Sequence, residues 1–156
     1  MAVAIFVSVT DQAINSAELL SAFEAEASDD DGAIASFFGR CRSEDGALAA
    51  LELEHYPGMA ERAIGAICQQ AAERWPITRL NVTHRYGLVK PQETIVAVMA
   101  ASAHREAAIQ TVAFIMDFLK TDAPFWKREH LSDGTVGEWI QAKSSDDEKR
   151  AAWHAS

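Results

Sequence analysis

The sequence predicts one domain that mixes strands with packing helices, and three features carry that reading. A chain of 156 residues has the size of a single domain with a real core. Residues 48–56 and 78–86 alternate apolar and polar side chains, which is the period of a half-buried strand. Residues 60–75 and 107–119 instead repeat apolar side chains every three or four positions, which is the period of a helix with one buried face.

Bulk composition narrows the function classes. Apolar residues make up 49% and charged residues 24%, as in ordinary globular proteins. A formal net charge of −9 argues against a broad nucleic-acid surface, so any anionic ligand must meet a local concentration of the basic residues. Cys41 and Cys68 have no metal or redox spacing and read as buried reduced thiols rather than a disulfide. No apolar run approaches the roughly 18 residues of a membrane span. A basic leader with a cleavage site is not evident, and a soluble cytoplasmic protein is expected. Residues 1–142 read as one domain, followed by a polar tail over 143–156. Trp153 is that tail's one large anchor, and both a disordered tail and a docked helix fit the composition.

In chain order, residues 3–9 are a short β-branched strand. Asn15 or Ser16 then caps a helix carrying Leu19, Leu20 and Phe23. Three aspartates, Asp29 to Asp31, make a solvated turn rather than a metal loop. Residues 32–42 form the next strand, in which Arg40 and Arg42 project from one face. That pair is either a surface feature or an anion site. A polar loop leads to the alternating strand 48–56, with Leu51, Leu53 and His55 on one face. Pro57 suits the first turn of the helix that Pro76 stops. Strand 78–86 puts His84 beside Leu80 and Val82, where a buried, hydrogen-bonded sheet histidine is the expected reading. Residues 87–93 make a turn into an apolar hairpin partner, 94–101.

Ser102 is then the candidate N-cap of the helix running to Leu119, which puts His104 and Arg105 in its first turn. Cations there oppose the macrodipole by a few tenths of a kcal/mol. The same end offers free N–H groups to an anion, so the pair is either tolerated or a binding site. At the other end, Lys120 is favoured by roughly 0.3–1 kcal/mol. Pro124 forbids further helix and extends Ala123. Phe125 and Trp126 would wedge the following loop onto the body, leaving Lys127, Arg128 and Glu129 for polar work. Two lysines around a Pro-aromatic turn in an acidic chain look like a site. Residues 131–137 are turn-rich, and 136–142 are a last short strand with Trp139 inward.

Several blocks, taken together, resemble one family. They are Phe37-Phe38-Gly39-Arg40-Cys41-Arg42, Leu53-Glu54-His55-Tyr56-Pro57-Gly58-Met59, His84-Arg85-Tyr86-Gly87 and Ser102-Ala103-His104-Arg105, followed by the unbroken run from Phe114 to Glu129. In this order they resemble the large, catalytic subunit of molybdopterin synthase, from Gly32 to Trp139. Two departures stand out: Cys41 replaces the family's branched aliphatic, and the 43–50 loop is short.

The resemblance implies an α+β fold of the α/β-hammerhead type, with a mostly antiparallel sheet and packing helices. It implies a homodimer within a heterotetramer, each protomer holding a small ubiquitin-like sulfur carrier with a Gly-Gly C-terminus. The implied reaction transfers sulfur from that carrier's thiocarboxylate to cyclic pyranopterin monophosphate, with no bound metal or organic cofactor. Lys120 and Lys127 become the catalytic candidates. Arg40, Cys41, Arg42, His104, Arg105, Arg128 and Glu129 join them in substrate binding, and Phe37 and Met116 line the pocket or the partner groove.

These assignments agree with the charges involved. A thiocarboxylate is already a nucleophile, but it must approach an anionic phosphate, and cations must stand between them. Two rivals remain: a docking module that holds a carboxyl-terminal tail without turnover, and a phosphoesterase using His104. The second lacks a nucleophile or metal set. The first would tolerate arginine at position 120, whereas proton transfer would not.

Overall fold

In the computed structural model, residues 2–122 and 125–141 are described. Along the chain run β1 (Ala4–Thr10), α1 (Ser16–Ala25), β2 (Ala33–Arg40), β3 (Leu48–His55), α2 (Met59–Arg74), β4 (Ile77–Arg85), β5 (Gly87–Val89), β6 (Thr94–Ser102), α3 (Arg105–Thr121) and β7 (Phe125–Leu131). The fold is α+β and mostly antiparallel. It holds two sheets where one was expected: a four-stranded sheet ordered β1-β4-β6-β2 and a three-stranded one ordered β5-β3-β7. Only β1 and β4 pair in parallel.

Strand alternation divides the large sheet's two faces. Val96, Val98 and Ala100 of β6 turn towards α2 and α3, where they meet Ile64, Ile67 and Cys68 of α2 and Ile115 and Phe118 of α3. Met99 and Ala101 turn the other way and pack under Phe23 of α1. Each fully buried aliphatic side chain contributes about 1.5–3 kcal/mol, so the first face dominates stability. A smaller core of Cys41, Leu48, Leu53 and Val89 belongs to the three-stranded sheet. Both cysteines are free and buried, and burial pushes the Cys68 thiol up to about 12.

Local chemistry explains where the elements begin and end. Asn15 is the cap of α1, its side-chain oxygen accepting from the Glu18 amide at 3.1 Å. Helix α2 starts at Met59 after Gly58, whose φ of 81° favours glycine over residues with a side chain. Its last residue is Arg74, and Trp75 is already extended. Helix α3 continues to Thr121, while the Ala123-Pro124 stop lies outside the described residues, as does the tail from 142 to 156.

Other expectations change too, among them Pro57, which lies before the Gly58 cap rather than in the first turn of α2. Residues 87–89 form a strand rather than part of a turn. Gly87, at φ 87°, lets the chain leave β4 and cross directly into the second sheet, where it pairs with Leu51–Leu53. Phe125 to Leu131 is also a strand, paired along β3 from Leu48 to His55. Strand β2 stops at Arg40, after a bulge between Gly39 and Arg40. Ser102 belongs to β6 and donates its hydroxyl to the His104 carbonyl, so His104 takes the N-cap position, without a side-chain cap bond. No strand covers the described part of 136–142. Val136 and Ile140 make single bridges to β7, and Trp139 is 42% exposed instead of inward.

Candidate functional site

The C-terminal end of α3 lies over the end of β2, and the two elements leave a cleft of about 400 Å³ between them. Its walls include Phe37 and Arg40 of β2, Arg42 just beyond, Met116 and Lys120 of α3, and His84 of β4. Five of these six, all but His84, were singled out in the sequence for site or lining roles, and the six come from three segments distant in the chain. Gly39 makes the close approach possible. A Cβ there would stand 2.8 Å from Val96 Cγ1 and 3.3 Å from the Phe37 ring, so a larger residue would displace the wall.

Charge and hydrogen bonding differ among the cations. Lys120 is exposed in the last turn of α3, where the macrodipole favours it. Arg40 donates Nε to the Gln92 carbonyl at 3.1 Å, which ties it to the turn before β6. Arg42 pairs with Glu44 at 2.9 Å, with its side chain 80% exposed, so the pair is weak and easily exchanged. The Cys41 side chain is buried in the small sheet's core and is absent from the cleft lining. Its backbone bonds Gln92 and Glu93 instead.

Alternation in β7 sorts the remaining candidates. Phe125 and Lys127 share one face of the strand, while Trp126 and Arg128 share the other. Phe125 stacks on His84 with ring centroids 3.9 Å apart and planes 15° apart, and lies 6.0 Å from His55. His55 in turn meets Tyr86 at 4.4 Å. Of the two aromatics expected to wedge a loop onto the body, Phe125 does so, at the start of a strand rather than in a loop, and it links the two sheets; Trp126 lies on the opposite face. Lys127, half-buried, follows on the face that Phe125 turns to His84. Arg128 instead donates Nε to Glu52 Oε1 at 2.7 Å and lies 4.5 Å from the Trp139 ring centroid. His130 Nε2 donates to the same oxygen at 2.8 Å. These bonds, His130's first, hold the Glu52 carboxyl below its ordinary range. Glu129 is exposed, opposite Leu51.

His104 and Arg105 are elsewhere. Ala33 pairs with Ser102 at one end of the large sheet and Arg40 pairs with Thr94 at the other. The fifteen helical steps from Arg105 to Lys120 span about 22 Å at 1.5 Å per residue. Both His104 and Arg105 are exposed and border an open groove of about 710 Å³ with Gly32, Ile109 and Gln110. One copy of the chain does not bring them to Lys120.

Two participants were not singled out for the site in the sequence. His84 was read as a hydrogen-bonded sheet histidine, and it is one: Nδ1 is 2.8 Å from the Arg85 carbonyl, and the residue is 7% exposed. Its place in a cleft wall depends on α3 and could not be read from strand alternation alone. Glu52 looked like one more solvent-facing residue of an alternating strand. Among the described residues, no group of three or more histidine, cysteine, aspartate and glutamate side chains could hold a metal. No helix there is long and apolar enough to cross a membrane.

Comparison with known proteins places these features in context. A family model described as MoaE protein matches residues 9–122. The molybdopterin synthase catalytic subunit of Brucella melitensis biotype 1 is 60% identical over 122 residues, covering 78% of this chain and 75% of that protein. The protein of the same description in Escherichia coli K12 is 45% identical over 127 residues, covering 80% and 83%. Among solved structures, the molybdopterin biosynthesis MoaE protein from Burkholderia ambifaria MC40-6 superposes with a TM-score of 0.81 at 38% identity, covering 96% of this chain and 98% of that one. The X-ray structure of molybdopterin synthase from Staphylococcus aureus gives 0.75 at 25% identity, covering 85% and 95%.

Proposed function

The chain belongs to the MoaE protein family, and from that premise we propose that it is the catalytic subunit of a molybdopterin synthase. In this reading it moves sulfur from the C-terminal thiocarboxylate of a small ubiquitin-like partner to cyclic pyranopterin monophosphate, building the dithiolene of molybdopterin. The observation that carries the site assignment is the cleft at the end of α3, where Lys120, Arg40 and Arg42 converge beside Met116 and Phe37.

Two anions must meet there, the partner's tail and the substrate's phosphate. Their repulsion is large in a cleft partly shielded from water, and fixed cations offset it. Lys120 lies at the tail's end, orienting the thiocarboxylate and exchanging a proton during transfer. Lys127, on the face of β7 that Phe125 turns to His84, stabilises charge that develops on the pterin, with Glu129 on the same strand face to hold it or the pterin's donor edge. Arg42 is free to leave Glu44 for phosphate. Cys41 contributes through its backbone, keeping Arg40 and Arg42 at the bulge. Arg128, tied to Glu52, anchors β7 in register.

His104 and Arg105 hold substrate phosphate from a second copy of the chain. The roughly 22 Å along α3 supports that arrangement, because one copy cannot supply both groups to one substrate. The assembly is then a homodimer carrying two small partners, a heterotetramer working in the cytoplasm. Residues 1–142 act as the catalytic unit, and 143–156 as an appended tail.

The test is single-turnover formation of the dithiolene product, read by mass spectrometry, with thiocarboxylated partner and cyclic phosphate both saturating. The complex should turn over, whereas the chain alone with a simple sulfide donor should not, since neither buried cysteine offers a sulfur-carrying loop. Equal rates from the isolated chain and sulfide would overturn the reading.

A further inference from the structure

We propose that His84 is a positioning residue for the sulfur-transfer site: its Nε2 accepts a hydrogen bond from the Lys120 ammonium when the cleft is loaded. The inference deepens the function proposed above and rests on Lys120 being the group that meets the partner's tail.

Geometry fixes the ring before any ligand arrives. Nδ1 lies 2.8 Å from the Arg85 carbonyl, and a carbonyl only accepts, so Nδ1 carries the hydrogen. Nε2 is then the lone-pair nitrogen of a neutral imidazole. Phe125 stacks flat on the ring at 3.9 Å, which prevents the rotation that would exchange the two nitrogens. Among the described residues, no group hydrogen-bonds Nε2, yet His84 lines the cleft with Lys120. The ring thus offers one fixed acceptor in a site otherwise rich in donors.

Electrostatics keeps the acceptor available. Burial lowers the His84 pKa to about 4; the Arg85 hydrogen bond works against that shift, and nearby Lys120 and His55 add to it. Arg40 and Arg42 share the cleft, and Arg85 follows His84 directly. A protonated His84 would therefore face positive charge from α3, from the end of β2 and from its own strand. A neutral acceptor beside an ammonium has the opposite effect. It makes a charge-assisted bond and takes rotational freedom from a long side chain that is otherwise exposed.

The experiment uses the full chain with thiocarboxylated partner and cyclic phosphate. His84→Phe keeps a ring on Phe125 and removes the acceptor, and His84→Gln restores an acceptor at the Nε2 position. Single-turnover rate at saturation should fall about tenfold or more in His84→Phe, with partner affinity within about threefold of wild type, and His84→Gln should recover most of the rate. Placing His84→Phe in a Lys120→Ala background should cause no further loss, because both changes remove one arrangement. Independent, multiplying losses would overturn the proposal and leave the Lys120 assignment standing. Wild-type turnover by Lys120→Ala would overturn both. A nitrogen NMR spectrum of the unaltered protein serves if a variant fails to fold. At pH 7 it should show the Nδ1–H tautomer, with the Nε2 signal moving when the loaded complex forms. An Nε2–H tautomer, an imidazolium, or an unmoved signal would overturn the proposal.

Discussion

Helix α3 ends in two different kinds of surface. At its C-terminus, Lys120 agrees with the macrodipole and closes a cleft with β2 and β4. At its N-terminus, Arg105 opposes the macrodipole and borders, with His104, an open groove made by one corner of the chain. A charge that agrees with its local field is explained by folding alone, and its neighbours must supply the argument for function. A charge that opposes that field is a hint of an anion from outside the chain, although Glu106 in the same turn already offsets part of a cost of a few tenths of a kcal/mol. The first end is the one proposed for chemistry. The second reads as an adaptor that needs another surface.

The largest effect should come from the enclosed end. Lys120→Arg keeps the charge and much of the reach but cannot release its proton at working pH. Sulfur transfer should fall by about 10²-fold or more, while partner binding and thermal stability stay near wild type. Single-turnover rates near wild type would show that charge suffices, and would make the two ends of α3 alike in being docking surfaces.

At the open end, Arg105→Ala should weaken pterin binding by about 1.5–3 kcal/mol, the worth of a charge-assisted bond, and barely change partner affinity. Titration calorimetry reads both. Lost partner affinity with normal pterin binding would move Arg105 from the substrate to the protein interface. Mixed dimers sharpen the point. If Arg105 serves the other copy, mixing Lys120→Ala with Arg105→Ala chains should raise turnover above that of either homodimer, at a pterin concentration that saturates wild type but not Arg105→Ala.

A subtler probe of the same end is Gly32→Ala. An added Cβ would collide with the Ala103 carbonyl, whose residue leads into His104, so the corner must shift. Overpacking against backbone costs about 1–3 kcal/mol. Thermal unfolding should register it, together with weaker pterin binding. Unchanged partner affinity would confirm that the two ends of α3 answer to different ligands.

Much of this was legible because burial leaves a period in the sequence. Helices α2 and α3 and strands β3, β4 and β6 show it, since each has an apolar face against a core. Strand β7 does not: Phe-Trp-Lys-Arg-Glu-His carries charges on both faces, one shared with the Phe125 ring that stacks on His84 and the other turned to Glu52. Residues chosen for a site overwrite the pattern that would reveal their strand. The division into two sheets was hidden for another reason. It depends on Gly87 and on which distant strands pair, and neither is a local property. The aromatic wedge at Phe125 was legible as chemistry but not as structure. The separation of Arg105 from Lys120 was available from helix length alone, at 1.5 Å per residue.

The smallest predicted effect tests whether Arg128 belongs to the enclosed end at all. Glu52 Oε1 accepts from Arg128 at 2.7 Å and from His130 at 2.8 Å, and these bonds hold its carboxyl below the ordinary value of 4.5. A carboxyl with a lowered folded pKa stabilises the fold above its unfolded value, and that contribution is lost as pH falls through the folded one. Glu52→Gln keeps an acceptor oxygen but loses the charge. It should cost about 1 kcal/mol at neutral pH, since the group is only partly shielded from water. The gap between wild type and variant should narrow as pH falls through the lowered folded value, where the wild-type carboxyl takes up its proton. Denaturant titrations at pH 7 and pH 3 give both values. The same variant releases Arg128 from its carboxylate, so turnover is the second readout. A rate within about twofold of wild type, expected if the arginine only anchors β7, would leave Lys127 as that strand's contribution to the cleft. A larger change in pterin affinity would bring Arg128 into contact with substrate.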